Sequence, residues 1–146
     1  MKTRNCWTVL AKKAQDEVNE RIQVAAEFRK RVDQLLQSRE RMFNLLNDYK
    51  QKSEQKQLSF QSMAEATNTR QFILQMHELE RRVTEDLELA QSRLADAQKR
   101  VLLAEQEKLK MQTLVEKDQA AVKNWEHKQE QKAMDALGVT LFNIKP

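Results

Sequence analysis

The chain has 146 residues, of which 33% are charged and 5% aromatic, with a single Gly and a single Pro. A fold with several chain reversals needs more turn-forming residues, so this composition excludes sheet folds, α/β barrels and disulfide-stapled domains. The net charge of +4 comes from 26 basic and 22 acidic residues that alternate along the chain. The chain therefore lacks the concentrated basic patch of a dedicated nucleic-acid binder.

The first predicted helix spans about residues 4–57. Its apolar residues recur in steps of three and four, with Arg39 occupying one position, which is typical of a left-handed coiled-coil seam. The apolar members are Val18, Ile22, Ala25, Phe28, Val32, Leu35, Met42, Leu46 and Tyr49. Polar residues dominate from Lys50 to Thr69, so we expect the chain to reverse within residues 57–69.

The second predicted helix spans about residues 66–137, and its seam spacing is sustained for more than fifty residues. Its steps alternate between four and three, except for two consecutive fours around Val83. The members are Phe72, Met76, Leu79, Val83, Leu87, Ala90, Leu94, Ala97, Val101, Ala104, Lys108, Met111, Val115, Asp118, Val122 and Trp125. Acidic and basic residues four positions apart are expected to pair on the exposed faces. These pairs are Glu17–Arg21, Glu27–Arg31, Glu78–Arg82 and Asp96–Arg100.

Two sequence signals mark the ends of the second helix. Ser62 and Glu65 have the spacing of a capping box, and Gly138 is expected to end the helix, leaving an apolar tail over 138–146. The sequence thus predicts an all-α fold and a single domain over residues 1–146. In it, two long helices form an antiparallel coiled-coil hairpin, and helix 2 is longer than helix 1.

The residues that usually carry chemistry are sparse. His77 and His127 are too far apart on one helix to share a metal ion, and Cys6 is the single cysteine. No apolar run approaches the roughly 20 residues that span a bilayer. We therefore predict no catalytic, cofactor-binding or metal-binding residues, no enzymatic activity, no membrane insertion, no nucleic-acid partner and a cytoplasmic location.

Two motifs carry a resemblance to a known family. Residues 45–49 read LLNDY late in the first helix, and residues 70–76 read RQFILQM at the opening of the second. They flank a polar turn, and a lysine-rich helix with NWEHK at 124–128 follows. The chain resembles the FliJ family, small coiled-coil proteins of the bacterial flagellar type III export apparatus. The resemblance extends over about residues 18–136.

The resemblance implies a non-enzymatic stalk or adaptor. In that family, the end that carries both termini inserts into the hexameric export ATPase. The region near the turn contacts the cytoplasmic domain of the export-gate membrane protein, and export chaperones are also engaged. The resemblance thus implies a cytoplasmic protein that is peripheral to the inner membrane at the export apparatus. We expect such a stalk to be monomeric on its own.

The expected contact residues fall into two groups. The places of the two motifs assign the export-gate contact to Leu46, Tyr49, Phe72 and Met76. The aromatic residue that often follows one turn after the Tyr is replaced here by Ser53. The helix 2 segment beyond the end of helix 1 suits insertion into a ring, and its candidates for the ATPase contact are Trp125, Lys128, Lys132, Met134 and Leu137.

Other functions remain open at the level of sequence. The equivalent stalk of a virulence type III secretion system would share these features, and so would a coiled-coil scaffold that homodimerises through the same seams. A nucleic-acid or membrane adaptor is the third alternative. Tyr49 and Phe72 also lie at seam spacing, so core packing is an alternative role for both.

Overall fold

The computed structural model describes residues 2–57 and 62–144, which form two helices and no strand. Helix α1 comprises Asn5–Gln57 and helix α2 comprises Met63–Ile144. The predicted reversal within residues 57–69 includes residues 58–61, which lie outside the described residues. The helices pack against each other in antiparallel orientation, which confirms the predicted all-α hairpin with a longer second helix.

The start of α2 is capped by Ser62. Its Oγ accepts a hydrogen bond from the backbone N–H of Glu65 at 3.2 Å, and its carbonyl oxygen accepts one from the N–H of Ala66 at 3.1 Å. A Ser hydroxyl at this position satisfies one of the free donors of the first helical turn. Thr67 lies within the first turns of the helix, and its hydroxyl donates to the carbonyl oxygen of Met63. The helix thus begins a few residues before the predicted start near residue 66.

At its other end, α2 continues to Ile144 and does not stop before Gly138. A glycine ends a helix by taking a left-handed conformation, and Gly138 has no positive φ angle. The residues that follow can all remain helical, and the hydroxyl of Thr140 donates to the carbonyl oxygen of Ala136. The segment expected to be an apolar tail is therefore helical through Ile144, while residues 145 and 146 lie outside the described residues.

Residues 21–100 form one compact unit. Its core joins Val32 and Leu35 of α1 to Leu87 and Ala90 of α2. Val83 and Leu94, both half-buried, pack against this cluster. The large side chains of α1 pack against a row on α2 in which large and small side chains alternate. The two helices therefore interlock as in a coiled coil.

Residues 2–20 and 101–144 belong to the second compact unit, which is called the terminal unit below. Its buried side chains are Val18, Ala104 and Val122. The carboxylate of Asp118 accepts a hydrogen bond from the backbone N–H of Arg4 at 2.7 Å. The first turn of α1 contains no acidic residue, so Asp118 brings a negative charge to the positive end of that helix dipole. This contact explains an acidic residue at a seam position.

Four predicted seam residues are exposed instead: Ile22, Arg39, Leu79 and Trp125. On α2 the half-buried residue is Glu80, so the two consecutive steps of four lie around Met76 and not around Val83. On α1 the half-buried residue is Ser38. Helix geometry therefore decides which positions face the opposite helix. Polar side chains, Ser38 and Glu80, occupy two of these positions.

Replacing Leu87 with Ala is expected to lower the free energy of unfolding by about 2–3 kcal/mol, because a buried Leu loses its contacts and leaves a cavity. Leu87 is 3% exposed, whereas Leu74 of the same helix is 67% exposed. The matched control Leu74→Ala is expected to change stability by less than about 0.5 kcal/mol. Urea unfolding followed by circular dichroism measures both values. Equal effects would contradict the assignment of the core.

Candidate interaction surfaces

An aromatic pair lies near the end of α1. The rings of Tyr49 and Phe72 have centroids 4.2 Å apart and planes inclined at 40°. Both side chains are half-buried, so each ring contacts the other helix and still meets solvent. A tilted pair at this distance is attractive beyond the area that it buries. The two motifs that carry the family resemblance therefore meet at one place.

The other two residues of this predicted group have a different role. Leu46 is 5% exposed and Met76 is 8% exposed, so both lie in the core between the helices. A partner protein that approaches the surface reaches the two rings rather than these side chains. Leu46 lies three residues before Tyr49 on α1, and Met76 lies four residues after Phe72 on α2, so each is one helical turn from a ring. Ser53, one turn further along α1, is also buried and fills its seam position with a small side chain.

A network of charges follows the aromatic pair on α2. The Arg81 guanidinium pairs with Glu78 at 2.6 Å and with Glu85 at 2.7 Å, and Arg82 lies 3.5 Å from Glu78. The hydrogen bond from Arg81 lowers the pKa of Glu78 below its ordinary value. The resulting stabilisation is present at neutral pH and is lost as the pH falls through this lowered pKa. These side chains are exposed, so the network mainly fixes the charge pattern on the surface.

Residues 123–144 of α2, here called the overhang, are exposed at every position. Val122 is the last buried residue, and Arg4, just before α1 begins, contacts Asp118. Helix α1 therefore offers no residues opposite the overhang. Twenty-two helical residues with a rise of about 1.5 Å each extend roughly 33 Å.

The five predicted ATPase-contact residues all lie on the overhang, but on two different faces. Trp125, Lys128 and Lys132 follow one another at helical spacing along one face, and Trp125 is 43% exposed. This face continues the line of the hairpin seam. Met134 and Leu137 lie roughly on the opposite face. The structure therefore groups the first three residues and separates them from the other two.

The second face forms a longer apolar stripe than the sequence analysis recognised. Its members, here called the apolar stripe, are Met134, Leu137, Leu141 and Ile144. They are spaced by three, four and three residues, and each is more than half exposed. Sequence reasoning missed the last two because it placed them in a non-helical tail. Their spacing was the available signal, since it matches that of a helix seam.

Exposed lysines lie on the overhang and on α1 in the same compact unit. Lys123, Lys128 and Lys132 are exposed on α2, and Lys12 and Lys13 are exposed on α1 within the same unit. Acidic residues of the overhang lie between them in the sequence, so the charge is mixed along its length. The combination of apolar side chains and lysines on an exposed helix suits binding to a partly acidic protein surface.

Among the described residues, no three His, Cys, Asp or Glu side chains are grouped to hold a metal ion. His77 is exposed on α2 and lies 3.6 Å from the half-buried Glu80, and Cys6 is exposed on α1. No helix in this part of the chain has the length and hydropathy needed to cross a membrane. The described residues therefore define an all-α protein with exposed apolar side chains on its second helix.

Comparison with known families identifies which class of helical protein this is. The family model described as "Flagellar FliJ protein" matches residues 8–145, essentially the whole described chain. The chain belongs to the FliJ family and is a component of the flagellar type III export apparatus. The family consists of structural or adaptor proteins. No curated protein and no solved structure matches the chain significantly.

Proposed function

We propose that the chain is a non-enzymatic stalk that binds the hexameric export ATPase and couples it to the export gate. The observation that carries this proposal is the overhang, a helix of about 33 Å whose side chains have no partner within the described hairpin. A single helix cannot bury its own apolar face, so exposed apolar residues at seam spacing favour a binding partner.

The ATPase contact is assigned to both faces of the overhang. A ring surrounds an inserted helix, so its subunits meet the face with Trp125 and the two lysines as well as the apolar stripe. The apolar stripe supplies buried contact area, and the lysines steer the helix toward acidic groups of the ring. This arrangement accommodates all five predicted residues, including Met134 and Leu137, although they lie on different faces.

The export-gate contact is assigned to the aromatic pair. Tyr49 and Phe72 are half-buried in the 21–100 unit, so their exposed edges are available to a partner. Aromatic residues held in place by packing are frequent centres of binding energy at interfaces. Leu46 and Met76 belong to this site as buried supports. The proposed gate partner is the cytoplasmic domain of the membrane protein, which makes the location peripheral to the inner membrane.

A homodimeric scaffold is the second candidate, and the apolar stripe is the observation that favours it. Met134, Leu137, Leu141 and Ile144 have the spacing with which two parallel or antiparallel helices pair. In such a dimer, the stripe of a second copy would cover the residues that the stalk proposal assigns to the ATPase. The stalk proposal instead expects a monomer, and it includes export chaperones among the partners of the complete chain.

A titration of the full chain into the export ATPase of the same organism separates these candidates. The stalk proposal predicts faster ATP hydrolysis together with hexamer formation, and a monomeric chain by light scattering. Unchanged hydrolysis with a dimeric chain would contradict the stalk and support the scaffold. A chain in which Leu74 is replaced by Ala is a suitable control for the ATPase contact, because this exposed residue lies in the 21–100 unit and not on the overhang.

A further inference from the structure

A groove runs along one side of the 21–100 unit, between α1 and α2. It consists of two adjoining recesses of about 200 and 180 Å³ that share Phe28 and Arg93. The recesses extend along α1 from Arg21 to Leu35, which at about 1.5 Å per residue is roughly 21 Å. We call this feature the arginine groove. It is separate from the aromatic pair and from the overhang in sequence.

The floor of the arginine groove is apolar. Val24 and Phe28 of α1 are half-buried there, and Ala97 of α2 is buried. Leu89 lies at the side of the second recess and is 52% exposed. Exposed and half-exposed apolar groups in a groove favour a partner that brings apolar side chains of its own.

The rim is predominantly basic. Four arginines, Arg21, Arg31, Arg93 and Arg100, line the two recesses, against the two acidic residues Asp86 and Asp96. The expected helix pairs of Arg31 with Glu27 and of Arg100 with Asp96 are not formed among the described residues. Arg93 likewise has no ion pair within the described part of the chain. These guanidinium groups are therefore available to carboxylates of a partner.

We propose that the arginine groove binds an amphipathic helix with acidic flanks, supplied by a partner protein. The occupant is a helix because a straight groove between two long helices accepts a third helix along its length. About four helical turns cover roughly 21 Å. Apolar residues of the partner meet Phe28, Leu89 and Ala97. Its Glu or Asp residues meet Arg31, Arg93 and Arg100.

A nucleic acid is a poorer occupant of the same groove. A phosphate backbone carries no apolar side chains to cover Phe28 and Leu89. Asp86 and Asp96 would also lie against it with like charge, whereas a protein helix can place basic or neutral residues opposite them. The inference concerns a surface outside both proposed contacts of the stalk, so it does not depend on the ATPase or the gate.

The test uses synthetic helical peptides of about 18 residues, long enough to span the groove. One peptide carries Leu at seam spacing with Glu on both flanks. The second replaces each Glu with Lys, and the third keeps Glu but replaces each Leu with Gln. Binding of each fluorescent peptide to the full chain is followed by anisotropy. We expect only the first peptide to bind, with an affinity that weakens as salt is added.

Variants of the chain locate the binding. Arg93→Glu with Arg100→Glu is expected to weaken binding of the first peptide at least about tenfold, since each lost charge contact at an interface is costly. The matched control is Lys30→Glu with Lys99→Glu, which makes the same change in net charge on the outer faces of the helices. It is expected to change the affinity by less than about twofold, because those charges lie away from the groove.

Several results would overturn the inference. One is that both double variants weaken peptide binding equally. Another is that the Lys peptide or the Leu-free peptide binds as tightly as the first peptide. The third is that the first peptide does not bind. Circular dichroism checks that each variant is folded. If the charge reversal unfolds the chain, Arg93→Gln with Arg100→Gln replaces it, and unchanged peptide affinity in that variant would also overturn the inference.

Discussion

Deletion of residues 125–146 is expected to abolish stimulation of the export ATPase while the remaining hairpin stays folded. The overhang buries no side chain within the described hairpin, so its removal costs little core packing. We expect the thermal unfolding midpoint of the hairpin to change little, as for other surface changes of less than about 0.5 kcal/mol. ATP hydrolysis with full-length and shortened chain measures the effect.

Point variants then distinguish the two faces of the overhang. Met134→Glu with Leu137→Glu places charges on the apolar stripe, and we expect at least about tenfold weaker binding to the ATPase. Lys128→Glu with Lys132→Glu is expected to slow association and to reduce its dependence on salt. Asn124→Glu with Gln131→Glu adds the same charge to the helix outside both the apolar stripe and the line from Trp125 to Lys132, and is the matched control. Full stimulation by the shortened chain would place the ATPase contact elsewhere.

Replacing Tyr49 and Phe72 with Ala is expected to weaken binding to the cytoplasmic domain of the export gate about thirtyfold, since central aromatic residues often contribute 2 kcal/mol or more. The ring centroids lie 4.2 Å apart and both side chains are half-buried, so removing both rings also loosens the local packing. Helical content should nevertheless be retained, because the core at Leu87 is distant along the chain. Calorimetric titration and circular dichroism measure the two properties.

A second pair of variants separates contact from packing at this site. Tyr49→Leu with Phe72→Leu keeps most of the apolar volume and removes the rings, and it should weaken gate binding while the hairpin remains stable. Leu103→Ala is the control, since Leu103 is exposed in the terminal unit and not in the unit that holds the aromatic pair. If the Ala variant loses its circular dichroism signal and the Leu variant binds normally, the two rings are core residues and not a contact.

The heptad pattern predicted much of the fold because the residues that pack between two coiled-coil helices are apolar and recur every three or four positions. Val32, Leu35, Leu87 and Ala90 were members of the predicted seams and form the core of the 21–100 unit. The pattern failed where an apolar residue lies next to the true seam position. Leu79 was preferred to Glu80 on polarity, although Glu80 is the residue that faces inward.

The candidate contacts were less predictable than the core. Motif positions brought Tyr49 and Phe72 together, but motifs do not report depth, and Leu46 and Met76 are buried. The overhang was expected to end at Gly138 because glycine commonly ends helices. Whether a glycine takes that conformation depends on its φ angle, which the sequence does not specify.

The arginine groove could not be predicted from the sequence. Pairs four residues apart were expected to neutralise Arg31 and Arg100, yet neither pair forms among the described residues. Exposed ion pairs contribute little free energy, so rotamer preferences and solvation decide whether they form. Grooves between helices also depend on which side chains project past the seam. Only the assembled hairpin brings Phe28 beside Arg93.

The central claim is that the overhang is the part of the chain that enters the export ATPase. It is tested most directly by site-specific photo-cross-linking. A photoreactive amino acid replaces Leu137 in one chain and Leu74, exposed in the 21–100 unit, in another. The account predicts cross-links to the ATPase hexamer from position 137 and none from position 74. Cross-links from position 74 alone would contradict it.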